Sequence, residues 1–249
     1  MTTNTNSASK HPTPNYGIDA PAVLRNLFLF GGLCLILGFI PHPHIGPVYF
    51  SHQMFFWTAG FLLGEGCLYL LYVKVGKLRH RDFILSLHTW SGDEQVLDVG
   101  CGRGLLLIGA AKRLTTGQAT GIDLWSNVDM GANSPEATQR NIEIEGVSDR
   151  CSLVSVAAQQ MTFPDGYFDV IVSNLCIHNI YDRPTRLKAL HQIARVLKPG
   201  GIALLSDYKL TREYAAELTK LGLQVTRRRG SILSTFPPLA IVIARKPSA

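Results

Sequence analysis

The sequence predicts an α/β fold, a seven-stranded sheet sandwiched by helices and preceded by two hydrophobic helices. Three observations predict it. Beyond Gly76, short apolar runs alternate with amphipathic stretches, the pattern of a largely parallel sheet covered by helices. One of those runs, Val96 to Val99, feeds a glycine-rich turn and then a helix-compatible stretch. Ahead of Gly76, Ala22 to Ile40 and Val48 to Val73 approach or exceed the roughly 20 apolar residues that cross a bilayer.

Residues 1–21 are mostly Thr, Asn, Ser and Pro, with too few apolar side chains to offset the entropy of ordering, and they read as a disordered tail. Residues 22–75 read as a two-helix membrane hairpin. Its turn, Pro41 to Pro47, breaks helical hydrogen bonding and holds no Lys or Arg; His42 and His44 there read as a polar loop rather than a metal site. Lys10 and Arg25 lie on the N-terminal side, and Lys74, Lys77, Arg79 and Arg81 follow the second segment. The positive-inside rule then places both chain ends on the cytoplasmic face of a membrane. Arg25 is near enough to a helix end to snorkel, whereas Glu65 costs about 2.5–3.5 kcal/mol at a helix centre. Gly60 and Gly64 form a small-xxx-small pair, so Glu65 would face the partner helix, a polar substrate group or another subunit. An interfacial hairpin and a buried soluble subdomain are the alternatives to a spanning pair.

Within 76–249 the expected strands are Gln95–Val99, Ala119–Asp123, Leu153–Val156, Phe168–Ser173, Gly201–Ser206, Gln224–Arg228 and Leu239–Ala244. Helices are expected at Leu105–Leu114, at Pro135–Glu145 with Asn133 or Ser134 as cap, at Pro184–Leu197 and at Thr211–Leu221. Lys198-Pro199-Gly200-Gly201 ends the third of these, since Pro cannot continue a helix and Gly accepts a positive φ.

Composition narrows the function. A chain of 249 residues, 46% of them hydrophobic, buries one full core plus an appendage. The net charge of +6 is spread out and densest directly after the second apolar stretch, which favours a membrane surface over nucleic acid. Arg227-Arg228-Arg229 reads as a solvated edge strand that discourages aggregation, with contact to anionic lipid as the alternative. Cys34, Cys67, Cys101, Cys151 and Cys176 form no CxxC pair and no Cys/His cluster, so neither a disulfide framework nor a structural metal is expected.

The chemistry centres on Val96-Leu97-Asp98-Val99-Gly100-Cys101-Gly102-Arg103-Gly104. A buried strand running into a Gly-rich turn and then a helix lets backbone approach a ligand and aims free amide groups at it. A dinucleotide site needs GxGxxG, but here the third glycine, Gly104, comes one position early, which disfavours a nicotinamide-dependent reductase. DxGxGxG, with the acid two residues before the first glycine, is the closer description. Asp98 or Asp123 alone would equally well cap a helix or end a strand, and Cys101 reads as a small residue in the turn.

With these residues in place, 76–249 resembles the class I S-adenosylmethionine (SAM)-dependent methyltransferases. The resemblance implies a Rossmann-like SAM methyltransferase sheet with SAM as cofactor. The turn of Asp98, Gly100, Cys101, Gly102 and Gly104 would hold the amino-acid end. Asp123, in Gly121-Ile122-Asp123-Leu124-Trp125, would accept the ribose hydroxyls, with Leu124 and Trp125 near the nucleoside. Met161 to Asn174 is similar to the family's LPFxDxxFDxVxS block, whose strand lies under the methyl donor and ends here at Asn174. Ala157 departs from the family, since many relatives have an Asp there that bonds the adenine amino group. Ala158 and Gln159 would line that side, with Gln159 or Gln160 supplying an amide oxygen or the backbone acting alone. Val196 to Gly201 resembles the loop before the fifth strand.

The reaction implied is direct displacement of the methyl group by an acceptor nucleophile, the protein supplying alignment, water exclusion and, where needed, a base. His178 leaves the C-terminal end of the fourth strand, where α/β sheets place reactive groups, and an imidazole titrates near pH 6.5, which makes it the expected base. Asp207, Tyr181 and Tyr208 are secondary candidates. A hairpin directly ahead of the catalytic domain points to a lipophilic small-molecule or lipid acceptor. A soluble-metabolite methyltransferase that is merely anchored, or a non-catalytic SAM-binding scaffold, are the competing readings; nothing in the chain indicates an oligomeric state.

Overall fold

The computed structural model describes residues 12–40, 44–45, 48–49, 51–126, 133–230 and 235–248. The first eleven residues of the expected tail and most of the Pro41–Pro47 turn, including His42, lie outside the described residues.

Helix α1 (Pro21–Gly38) opens with Pro at its first position, and α2 (His52–Leu71) follows the turn. Two short strands, His44–Ile45 and Val48–Tyr49, pair antiparallel between them. The helices run antiparallel: a Cβ on Gly31 would come within 2.9 Å of Leu63, one on Gly38 within 2.8 Å of Phe56, and one on Gly66 within 3.1 Å of Phe28. Phe39 packs edge-on against Phe56 at 5.2 Å, and His52 Nδ1 lies 2.9 Å from the Gly38 carbonyl oxygen. Gly60 and Gly64 face open space, so the small-residue interface uses Gly31, Gly38 and Gly66 instead of the expected pair. Glycines thin one face of each helix so that a neighbour's side chain lies on backbone, and only their position around the helix decides which ones do so. The rest of the hairpin turns large apolar side chains outward, with Phe30, Ile36, Trp57, Phe61 and Leu71 all exposed. Both helices are long and apolar enough to cross a membrane.

The second helix does not stop where the sequence pattern changes. It continues through a π-helical turn, Tyr72–Gly76, into α3 (Lys77–Leu85), a helix the sequence reading did not foresee. The buried positions of α3 are Lys77, His80, Ile84 and Leu85, and two polar residues on the inward face hide its amphipathic period.

The remaining elements are β1 (Gln95–Val99), α4 (Leu105–Ala111), β2 (Gln118–Asp123), α5 (Pro135–Ile144), β3 (Cys151–Ser155), β4 (Phe168–Asn174), α6 (Arg183–Val196), β5 (Leu197–Asp207), α7 (Thr211–Lys220), β6 (Gln224–Arg229) and β7 (Ala240–Arg245). All seven expected strands and four expected helices are present. The largest boundary difference is β5, which begins at Leu197: Phe168 pairs with Leu197, the register then slips, and Val170 pairs with Ile202. Ser134 caps α5, its hydroxyl accepting the Ala137 amide, and Asp182 caps α6 through Thr185.

The strands lie in the order β3-β2-β1-β4-β5-β7-β6, parallel except for β7, which is antiparallel to both neighbours. The arginine-rich β6 forms one edge. Alternation along the strands builds two cores. Leu97, Val99 and Ile171 pack on one face against Leu190, Ile193 and Tyr214, while Val96, Val170 and Val172 pack on the other against Leu106, Leu107 and Ile108. The order reverses between β1 and β4, and in such sheets ligands bind in the crevice over the carboxyl ends of the strands at that point.

Candidate active site

At the carboxyl end of β1 the backbone turns through three positive-φ glycines, Gly100 (72°), Gly102 (48°) and Gly104 (84°). Only glycine fits at the first: a Cβ there would lie 2.0 Å from Cys176 Sγ. Asp98, 1% exposed, accepts the Leu107 amide in the first turn of α4 at 2.8 Å and so ties strand to helix. Burial pushes its carboxyl up to about 8, with the Leu107 amide working against that rise and the nearby Asp123 adding to it. Cys101 is buried, and burial followed by the Asp98 and Asp123 charges drives its thiol well above the ordinary range, so it is packing rather than a nucleophile.

Asp123 ends β2, one oxygen accepting the Gly102 amide at 2.8 Å and the other the Trp125 amide at 2.6 Å. Asn133 Nδ2 also donates to Oδ1, at 3.4 Å, so Oδ2 is the oxygen that keeps a further lone pair for a ligand hydroxyl. Two residues of α5 hold the loop from behind: Thr138 Oγ1 donates to the Gly102 carbonyl at 2.6 Å, and Asn141 Nδ2 donates to the Arg103 carbonyl at 2.9 Å. Both are buried, and neither was singled out from sequence, although two polar residues on the inward face of an amphipathic helix are the available signal.

Residues 12–20 fall in the expected tail, yet they lie across this loop. Asn15 and Asn141 exchange two hydrogen bonds, from the Asn15 amide at 2.9 Å and from Asn141 Nδ2 at 3.0 Å, and Tyr16 donates to Glu145 at 2.6 Å. Lys77, 4% exposed, donates to the Tyr16 and Gly17 carbonyls at 3.0 and 3.1 Å and pairs with Asp19 at 3.0 Å. Contacts made by residues distant in sequence order this segment, and its own composition cannot reveal them. A pocket results, walled by Tyr16, Asp19 and Lys77 on one side and by Asp98, Gly100, Gly102 and Asn174 on the other.

Further along the strand ends, His178 follows β4 in a short 3-10 turn and is buried. Its Nδ1 sits 2.8 Å from Asp207 Oδ1, off the line of a straight hydrogen bond. Asp207, at the end of β5, also accepts from the His178 amide (3.3 Å), the Tyr208 amide (2.8 Å) and the Tyr214 hydroxyl (3.2 Å). Burial, then the adjacent Asp207, holds the Tyr214 hydroxyl far above an ordinary phenol, so it donates rather than ionises. With its oxygens occupied and its side chain buried, Asp207 is placed to orient the imidazole. The ring beside His178 is Tyr208, edge-on at 4.7 Å; Tyr181 is 78% exposed at the rim, with Lys209 Nζ 5.9 Å from its ring centre.

The remaining expected cofactor residues spread along the same edge. Leu124 is exposed, Trp125 donates through its indole to Ser155 at 2.8 Å, and Ala158 packs on the core. Gln159 is half-buried and Gln160 exposed. Asn174 lines the pocket, and its Oδ1 is buried and accepts no hydrogen bond. The fit to SAM rests on three features of this crevice: a turn free of side chains, an acid at the end of β2 with a lone pair to spare on Oδ2, and a pocket that holds Lys77 and Arg103 beside Asp19, suited to a zwitterionic amino-acid end.

Comparison with known proteins agrees with this geometry. Residues 97–205 match a family model described as a methyltransferase domain. The chain is 34% identical over 147 residues to a probable methyltransferase of Aspergillus luteorubrus, covering 58% of this chain and 50% of that one. It is 32% identical over 123 residues to a demethylmenaquinone methyltransferase of Symbiobacterium thermophilum, covering 49% and 45%. The chain thus spans about half the length of the curated relatives it matches. Among solved structures, a SAM-dependent methyltransferase from Aquifex aeolicus shares the fold at a TM-score of 0.53 and 20% identity, over 66% of this chain and 88% of that one.

Proposed function

Because the chain carries a class I SAM-dependent methyltransferase domain, we propose that it transfers a methyl group to a lipophilic small-molecule or lipid acceptor at a membrane entered by its N-terminal hairpin. The observation that carries this reading is where the hairpin is rooted. Leu24, Tyr69 and Tyr72 at its base pack with Leu175, Phe236 and Leu239, the segments that follow β4 and precede β7 at the carboxyl edge of the sheet. A lipophilic acceptor held at the hairpin's apolar surface would therefore lie close to the strand ends. The outward-facing apolar residues of both helices support a membrane over a buried soluble subdomain, whose helices would be mostly covered. The relative from Symbiobacterium, named for a quinone precursor, lends support of the same kind.

SAM supplies the electrophilic methyl group, so the chain's own task is alignment and proton management. The glycine turn and Asp123 would hold the cofactor's two ends. His178 would take the acceptor's proton through Nε2, and Asp207, whose Oδ1 lies 2.8 Å from Nδ1, would stabilise the imidazolium that forms. Residues 22–75 would then be the membrane hairpin, and the positive residues beyond it would keep 76–249 on the cytoplasmic face.

The test is to incubate the full chain, reconstituted in liposomes, with methyl-labelled SAM and membrane lipid extract. Label passing into the organic phase supports a lipophilic acceptor. Label passing only into added aqueous metabolites would favour an anchored enzyme of soluble substrates, and tight SAM binding without transfer to any pool would favour a binding scaffold.

A further inference from the structure

We infer that Lys77, carried by α3 where the hairpin's second helix continues into the sheet domain, anchors the carboxylate at the amino-acid end of the cofactor. The inference rests on the reading of the glycine-turn pocket as the SAM site. Lys77 is the buried cation of that pocket, and it reaches the pocket from α3, one π-helical turn beyond α2. An ammonium has three donors. Two of Lys77's go to the Tyr16 and Gly17 carbonyls, at 3.0 and 3.1 Å, which fixes the side chain and pins the N-terminal segment across the glycine turn. The Lys77 charge is paired with a carboxylate, Asp19, whose Oδ2 lies 3.0 Å from Nζ without accepting a hydrogen bond, and Asp19 lines the same pocket.

The ammonium facing the pocket is thus already paired in charge with a carboxylate. A ligand carboxylate entering between the glycine turn and residues 16–19 meets the ammonium beside Asp19, so Asp19 competes with the ligand for the Lys77 charge. Arg103, the other cation in the pocket wall, is turned toward the N-terminal segment, donating to the Asn15 carbonyl at 3.2 Å. Burial makes the ion pair stronger per contact than a surface pair and makes an uncompensated ammonium costly, so the two anions exchange rather than leave Lys77 alone. Cofactor affinity is thereby tied to the seating of the hairpin, because the helix that carries Lys77 is the continuation of the one proposed to enter the membrane.

The experiment uses the full detergent-solubilised chain and two probes, S-adenosylhomocysteine and 5′-methylthioadenosine, which share the nucleoside thioether but differ in the amino-acid end. Calorimetric titration of Lys77→Met should show S-adenosylhomocysteine weakened about tenfold or more, with 5′-methylthioadenosine unchanged and Lys77→Arg recovering most of the loss. Asp19→Asn, which removes the competing charge, should bind S-adenosylhomocysteine more tightly. Equal weakening of both probes by Lys77→Met, or no change in either, would overturn the anchor, and weaker S-adenosylhomocysteine binding by Asp19→Asn would overturn the competition. Wild-type protein that binds neither probe would overturn the cofactor reading and this inference together.

Discussion

His178 and Asp207 stand 29 residues apart in sequence and 2.8 Å apart in space, the imidazole Nδ1 against a carboxylate oxygen whose group is held by two backbone amides and a tyrosine hydroxyl. The arrangement sets a carboxylate charge beside the imidazole, although no straight hydrogen bond joins the two side chains.

If Nε2 is the proton acceptor, His178→Ala lowers turnover by roughly a hundred- to ten-thousand-fold while S-adenosylhomocysteine affinity stays within twofold. Asp207→Asn keeps the ring but removes the charge behind it and should cost at least about tenfold in turnover, by analogy with other groups that orient a working histidine. Steady-state turnover measured beside calorimetric affinity checks both. Unchanged turnover in His178→Ala would remove the base.

Asp98 makes stability depend on pH. Its folded-state carboxyl lies raised from 3.8 to about 8, chiefly by burial, so over that interval the folded chain keeps a proton that the unfolded chain has released. Rising pH therefore works against the fold between those values, the reverse of a salt-bridged carboxylate. The thermal midpoint of wild-type protein should fall between about pH 5 and pH 8 more steeply than that of Asp98→Asn. Parallel pH profiles for the two proteins would show that Asp98 ionises normally.

The glycine turn is held by Asp123 on one side and Asn141 on the other. Asp123→Ala removes an acceptor for the Gly102 amide and the proposed ribose contact, and should weaken S-adenosylhomocysteine by about two orders of magnitude. Asn141→Ala leaves the Arg103 carbonyl and the Asn15 amide without their partner and should cost about tenfold without touching the ligand. Titration of both variants measures the difference, and an Asn141→Ala protein with wild-type affinity would show that the turn holds its shape unaided.

In the hairpin, Gly31→Leu should lower the thermal midpoint of the solubilised protein, with roughly 1–3 kcal/mol of overpacking against Leu63, whereas Gly60→Leu should leave it unmoved. Equal effects would mean that the two helices pack through another face.

The strands were legible because each interior one is a short apolar run closed by a turn signal, and burial on both faces leaves no other use for such a run. Asp98, Gly100, Gly102 and Asp123 were legible for a related reason: a turn that brings backbone to a ligand demands glycines at fixed spacing from a strand end. The helix at Lys77–Leu85 was not legible. Two of its four inward positions are occupied by Lys77 and His80, which hydrogen-bond to the Tyr16 and Gly17 carbonyls and to Ser206 and so are polar where the pattern expects apolar residues.

By itself, then, the sequence determined the α/β class, the strand and helix order, the two long apolar helices and the glycine turn with its acids, all of them local consequences of periodicity and backbone freedom. The tertiary structure alone decided that Asp207 stands behind His178 and that Tyr208 rather than Tyr181 lies beside it. It also decided that Gly31, Gly38 and Gly66 make the helix contact, and that residues 15–19 with Lys77 wall the pocket. Each of these joins residues whose neighbours in the chain carry no trace of the pairing. Only the sheet's strand order and the rotation of each helix about its axis bring them within reach, and those are properties of the packed whole.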